Sequence, residues 1–265
     1  MVFATDGIIT RVTDYGASDK IINIITPEHG RIGVIVKGGR SPGSKNTPIS
    51  QLFTYGNFEI YEKNSVYWLR GGSVINPFYD LSIDISGLAL ATYLCDIANE
   101  LTDEGEGEES CEILRLLLNS LYLIGRRKKP NAHIKAVFEL RAASIAGYCP
   151  ELAYCAYCKA QNPDLMYLDV MGGKLICTDC MAKRGKKADI SKEFEDLPEA
   201  SVICPVSSSV VAAMRYIVYS PQEKIFSFSL KEENEAHDLS RACETYILSH
   251  LGRSFDSLDF YNAVK

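Results

Sequence analysis

Through the first eighty residues the apolar positions alternate with polar ones or run in short blocks, and turn-forming residues interrupt them at short intervals. Residues 2–13, 20–26, 31–37, 55–61 and 66–74 read as strands, with tight connections at 27–30 and 62–64. Five short strands in so small a span predict a compact β-barrel. From about residue 85 the apolar period becomes helical. Helices are expected over 88–101, over 111–124 with Ser110 as N-cap and Gly125 as stop, and over 132–146 between Asn131 and the pair Gly147 and Pro150. Two more fit 208–219 and 232–251, the last closed by Gly252. The expected fold is therefore α+β: a barrel in 1–80, a helical domain in 81–150 and 188–265, and a cysteine module in 151–187 inserted between its helices. The acidic run over 103–109 is expected to be a solvated loop.

An apolar content of 46% in 265 residues supports a globular chain with a real core. No run of eighteen apolar residues occurs, and the first residues lack a basic-then-apolar leader pattern, so a cytoplasmic protein is expected. A formal net charge of −6 argues at first against nucleic-acid binding. Its distribution changes that picture. Residues 1–80 hold eight Lys/Arg against seven Asp/Glu, whereas the remainder holds twenty against twenty-seven. Any polyanion must therefore meet a local patch.

Four of the nine cysteines form two pairs, Cys155-x₂-Cys158 and Cys177-x₂-Cys180, with eighteen residues between them. In a cytosolic chain this spacing points to metal, because each pair on a tight turn directs two thiolates at one ion. The stretch over 166–180 reads as a hairpin turning at Gly172 and Gly173, which returns the second pair to the first. One structural zinc per chain, held by Cys155, Cys158, Cys177 and Cys180, is expected. Four sulfurs close the shell and leave no open position for catalysis. The nucleobase-deaminase pattern, H-x-E with P-C-x-x-C, is absent, and His29, His133, His237 and His250 receive no role. Cys95, Cys111, Cys149, Cys204 and Cys243 read as small apolar residues. Lys183-Arg184-Gly185-Lys186-Lys187, after the module, fits either a solvated loop or a phosphate contact.

From Arg31 to Phe58 there is no acidic residue, while Arg31, Lys37, Arg40 and Lys45 all fall within that window. The Gly/Ser/Pro-rich segment around Lys37, Arg40 and Lys45 suits a phosphate backbone, and it equally suits a long connection between strands. Gly38-x₄-Gly43-Ser44-Lys45 approaches a nucleotide-binding P-loop but fails it. Lys does not follow the second Gly, Asn46 stands where Ser/Thr is needed, and Thr47-Pro48 blocks the required helix. Phe53, Tyr55, Phe58, Tyr61, Tyr67 and Trp68 include possible stacking surfaces, but facing decides between surface and core, and none is assigned.

Several strings together resemble the RecO family. Thr26-Pro27-Glu28-His29-Gly30-Arg31 followed by Val36-Lys37-Gly38-Gly39-Arg40 is similar to that family's TxxxGK/R…AKGxR stretch. Gly147, Pro150 and Cys155-x₂-Cys158 match its G…P…CxxC, and Gly172-Gly173-Lys174-Leu175-Ile176-Cys177-Thr178-Asp179-Cys180 resembles its GGxxCxxC with one residue more before Cys177. Leu251-Gly252 through Ser257 and Phe260 resembles its closing LGxxxxSxxF/L. The resemblance implies an N-terminal OB-fold, a helical C-terminal domain and a non-catalytic role in recombinational repair. It implies binding to single- and double-stranded DNA, with RecR and RecA as partners and the acidic tail of single-strand-binding protein as a docking target. Two departures stand out. The loop after Arg40 is sparser in Arg/Lys than is usual in the family, which directs attention to Arg126-Arg127-Lys128-Lys129, a run that fits a solvated helix C-terminus at least as well as a DNA contact; and Asp19 replaces a usual Glu in the first hairpin. Two other classes remain in view: a metal-dependent enzyme acting on nucleic acid, disfavoured by the absence of clustered carboxylates or an open metal site, and a zinc-ribbon scaffold that binds only protein.

Overall fold

The computed structural model describes residues 1–105, 107–161, 163–186 and 202–265. They form two compact units, Met1–Asn131 together with Phe255–Lys265, and Ala132–Ser254.

In the first unit, β1 (Val2–Tyr15), β2 (Asp19–Thr26), β3 (Gly30–Val36), β4 (Tyr55–Lys63) and β5 (Val66–Asn76) close a barrel in the order β1-β2-β3-β5-β4. All pairings are antiparallel except β3 with β5. This is the five-stranded arrangement of an OB-like barrel. Period-two alternation fills its interior: Ile22, Ile24, Ile32, Val34, Val36, Phe58, Ile60 and Leu69 point inward and are buried. Each buried aliphatic side chain contributes about 1.5–3 kcal/mol. Strand β1 serves two partners, pairing over Val2–Ile8 with β4 and from Ile8 onward with β2. An irregularity between Ile9 and Arg11 lets it bend from one to the other.

Two helices pack on this barrel, α1 (Ile85–Leu101) and α2 (Glu108–Gly125), and a third, α7 (Asp256–Val264), packs on α1. Helix α1 begins earlier than the apolar period predicts because the Asp84 carboxylate accepts from the Gly87 N–H at 3.1 Å. Helix α2 likewise begins at Glu108, so Ser110 is a buried first-turn residue and not the expected N-cap. Helix α7 was not anticipated from the hydrophobic pattern. It docks on α1 through Ser257 Oγ donating to Asp96 at 2.7 Å and through the Phe255 ring edge-on to Tyr93. Asp96 also receives Arg11 of β1 at 2.7 Å, and buried Thr10 donates to Asn99 of α1 at 2.7 Å.

The second unit contains α3 (Asn131–Ile145), β6 (Glu151–Cys155), β7 (Leu165–Asp169), β8 (Lys174–Cys177), α4 (Thr178–Lys186), β9 (Ile203–Ser207), α5 (Ser208–Tyr219) and α6 (Glu233–Leu251). The strands form one sheet ordered β6-β8-β7-β9. Its edge strand β9 carries Pro205, which an edge position tolerates. A buried charge group joins α3 to α6: Lys135 meets Glu139 at 2.8 Å and Glu244 at 2.7 Å. The Lys187 end of the basic run after the cysteines, the side chains of Arg184 and Lys186, and residues 188–201 of the expected helical domain lie outside the described residues.

Candidate metal centre and nucleic-acid surface

The cysteine centre is assembled from two local turns. Strand β6 ends at Cys155 and turns through Cys158, while β8 ends at Cys177 and leads directly into α4, whose first turn holds Cys180. The expected hairpin is present as β7 and β8, with Met166 opposite Cys177 and the turn at Gly172 and Gly173. The Cys155 carbonyl accepts from Lys159 N–H at 3.0 Å, and Lys159 takes a left-handed backbone with φ 61°, closing the first turn. Across the centre the Cys177 N–H donates to Cys155 Sγ at 3.3 Å.

The four Sγ atoms lie within 4.8 Å of one another, and Cys158 and Cys177 approach to 3.5 Å. Sulfurs about 2.3 Å from a common tetrahedral ion stand about 3.8 Å apart, so the donor set fits a four-thiolate metal site. Cys155, Cys177 and Cys180 are buried and Cys158 is exposed. Burial raises the thiol of Cys155, but N–H groups of Cys158, Cys177 and Tyr157 outweigh it and bring that pKa down to about 6. Burial pushes Cys177 and Cys180 the other way. Four thiols in this volume do not ionise together unless a cation neutralises them. Among the described residues this is the one cluster of possible metal ligands. Arg215 of α5 braces it from behind, donating to the carbonyls of Leu152 at 2.6 Å, Ala153 at 3.0 Å and Gln161 at 2.8 Å.

On the barrel, the basic segment leaves β3 as a chain of turns. Gly38 N–H donates to Asp19 Oδ1 at 2.8 Å, and Arg40 N–H to the Ser18 carbonyl at 2.9 Å, which ties the segment to the β1–β2 connection. Beneath it Lys20 is buried, donating to the Ser50 carbonyl at 2.7 Å; burial lowers its pKa, partly opposed by Asp14. Lys37, Arg40 and Lys45 are exposed on this structured loop. Arg40 stands 3.4 Å from the exposed carboxylate of Asp14, a surface pair worth little that another anion can replace.

Arg31 stands apart. It begins β3 whereas Lys37 follows its end, about 20 Å along the strand at 3.3 Å per residue. Its Nε donates to the Thr102 carbonyl at 2.9 Å and its backbone N–H to Asp103 at 3.0 Å. The start of the acidic run is therefore docked and not freely solvated: Gly105 N–H donates to His29 at 3.1 Å and Tyr67 donates to Glu104 at 2.9 Å. Gly30, at φ 62°, is required there, since a Cβ would overlap the Asp103 carbonyl.

The aromatics left unassigned by sequence separate by facing. Phe53 and Phe58 are buried, and Tyr67 packs against the barrel core. Tyr61 and Trp68 face outward as a cross-strand pair. The phase of β5, set by inward Leu69, is the signal that identifies Trp68.

A closed OB-like barrel with an exposed basic loop and a four-thiol centre placed between helices define a metal-ready protein of the nucleic-acid-handling class. The N-terminal domain of recombination protein O matches residues 1–78, and its C-terminal domain matches residues 83–202. The chain is 28% identical over 256 residues to a DNA repair protein RecO of Acetivibrio thermocellus, covering 97% of this chain and 94% of that protein. It is 25% identical to that of Bacillus subtilis, covering 100% and 96%, and 30% identical over 191 residues to that of Bacillus pumilus, covering 72% and 73%. The chain belongs to the RecO family of DNA repair and recombination proteins. No helix among the described residues is long and apolar enough to cross a membrane.

Proposed function

We propose that this protein is a cytoplasmic recombination mediator that binds DNA, anneals complementary single strands and, with RecR, helps load RecA onto strands coated by single-strand-binding protein. The observation that carries this reading is the exposed trio Lys37, Arg40 and Lys45 on a structured loop at the rim of an OB-like barrel. Three cations held at fixed spacing neutralise successive phosphates and release counterions, which favours any sequence alike. The loop's anchors to Ser18, Asp19 and Lys20 mean that little backbone order is lost on binding.

The four cysteines would hold one zinc ion, whose role is to fold the β6–β8 turns; a closed thiolate shell offers no site for substrate. Contact with both the coat protein's acidic tail and the strand would keep the mediator at high effective concentration, so no nucleotide turnover is needed. The test is annealing of complementary strands coated with intact or tail-truncated single-strand-binding protein, with and without ATP. Annealing should proceed without ATP and slow on truncation; an absolute ATP requirement would refute the mediator reading.

A further inference from the structure

The outer face of the barrel carries a patch that the basic loop leaves unexplained. Register places Ile21 opposite Ile35, Ile35 opposite Trp68, and Trp68 opposite Tyr61. These four form one row across β2, β3, β5 and β4. Their chain neighbours Ile22, Val34, Val36, Leu69 and Ile60 are core, so the row points outward. The Trp68 and Tyr61 rings lie 5.9 Å apart at 33°, leaving Trp68 half-buried and Tyr61 38% exposed. Gly33, outward beside Ile35, leaves the floor open: the nearest atom to a Cβ there is 4.0 Å away.

Cations flank this row on both sides. Lys37 leaves the end of β3 two residues past Ile35, Arg70 stands two residues past Trp68 on the neighbouring strand, both are exposed, and Lys63 pairs with Val66 on the other side. Arg70 falls where the β4–β5 register shifts, leaving it unpaired in the ladder and exposed. Among the described residues, none of these three side chains has a hydrogen-bond or ion-pair partner. Of the acids on this face, Asp19 accepts the Gly38 N–H and Glu59 stands on β4 at the patch boundary. An apolar, aromatic floor flanked by two cations on one side and one on the other complements a polyanion whose repeating units carry flat apolar faces.

We propose that Trp68, backed by Tyr61 and Ile35, is the platform on which unpaired bases of a single strand stack, with Lys37, Arg70 and Lys63 on the phosphates to either side. This rests on the DNA-binding reading above and extends it from backbone to bases. Bases in a duplex already stack on one another and do not reach the platform, so the face separates single strands from duplex.

Trp68 is the chain's sole tryptophan, so its emission reports this face directly. The full chain is titrated at low salt with oligo-dT and with a duplex of equal length. Trp68 emission is followed with unlabelled DNA, and anisotropy with end-labelled DNA. Emission should change with single strand, saturating where anisotropy does, and stay constant with duplex. Trp68→Phe should keep single-strand affinity, whereas Trp68→Leu, checked for an unchanged melting curve, should lose about fivefold or more. Single-strand binding seen by anisotropy with Trp68 emission unchanged and Trp68→Leu binding like the parent would overturn the platform and give the face to a protein partner. No anisotropy change in the parent protein would instead overturn the single-strand reading itself.

Discussion

Replacing Lys37, Arg40 and Lys45 together by alanine removes the exposed cations of the loop while leaving its anchors in place, because Gly38 and Arg40 are tied through backbone N–H groups. Each phosphate contact on a single strand contributes about 0.7 to the slope of log affinity against log salt, so the triple variant should flatten that slope by about 2. Between about 50 and about 200 mM salt, the parent should lose about 20-fold more affinity than the variant. Arg31→Ala provides the contrast. Its guanidinium is committed to the Thr102 carbonyl about two Debye lengths from Lys37 at ordinary ionic strength, so its loss should leave the slope unchanged and instead cost about 1–2 kcal/mol of stability. Anisotropy titrations of labelled oligo-dT at four or more salt concentrations measure the slope, and urea denaturation measures the stability. If Arg31→Ala flattens the slope as much as Lys37→Ala does, or the triple variant leaves it unchanged, the loop is not where phosphates are held.

Three further expectations follow from the same structure. Purified protein should carry about one zinc per chain by elemental analysis; Cys155→Ser should release it and lower the melting temperature, and a metal-free parent melting at an unchanged temperature would deny the centre a structural role. Gly30→Ala should cost about 2–4 kcal/mol from its left-handed backbone and the displaced Asp103 carbonyl, whereas Gly33→Ala, facing open space, should change stability by less than about 1 kcal/mol; equal costs in urea denaturation would contradict the docking of the 102–105 segment. Burial lowers the pKa of His250 despite its hydrogen bond to the Val170 carbonyl, so the folded second unit takes up the proton less readily than the unfolded chain does. Its contribution to stability is therefore full above about pH 6.5 and declines as pH falls through the interval below that value, and His250→Gln should flatten this decline in pH-dependent melting.

The barrel was legible because two local signals agree there: period-two alternation and turn residues between strands. The cysteine centre was legible for a similar reason, since each C-x₂-C turn and the Gly172–Gly173 hairpin are short-range features. What escaped depends on distant segments. Arg31 looks like one more member of a basic window until Thr102 and Asp103, seventy residues later in the chain, are seen capping its end of β3. The helix α7 is short and its apolar face has meaning only against Tyr93 and Asp96. Strand β9 is five residues long with a proline in it, and pairing with β7 is what makes it a strand. Trp68 needed the phase of β5, which becomes fixed once Leu69 is known to face the core.

The return of α7 to α1 has a consequence for how the chain comes into being. The segment that forms the second unit is spliced into the first between Asn131 and Phe255, and the Ser257 to Asp96 bond closes a loop of 161 residues. During synthesis the barrel strands emerge early, yet the α1 surface that receives Phe255, Leu258 and Tyr261 stays bare until the whole inserted unit has been made. At about 5–20 residues per second that interval is roughly ten to thirty seconds, long enough for the inserted unit to fold while the first is still unfinished. Order of birth and order of completion are thus reversed: the unit begun first is the one completed last.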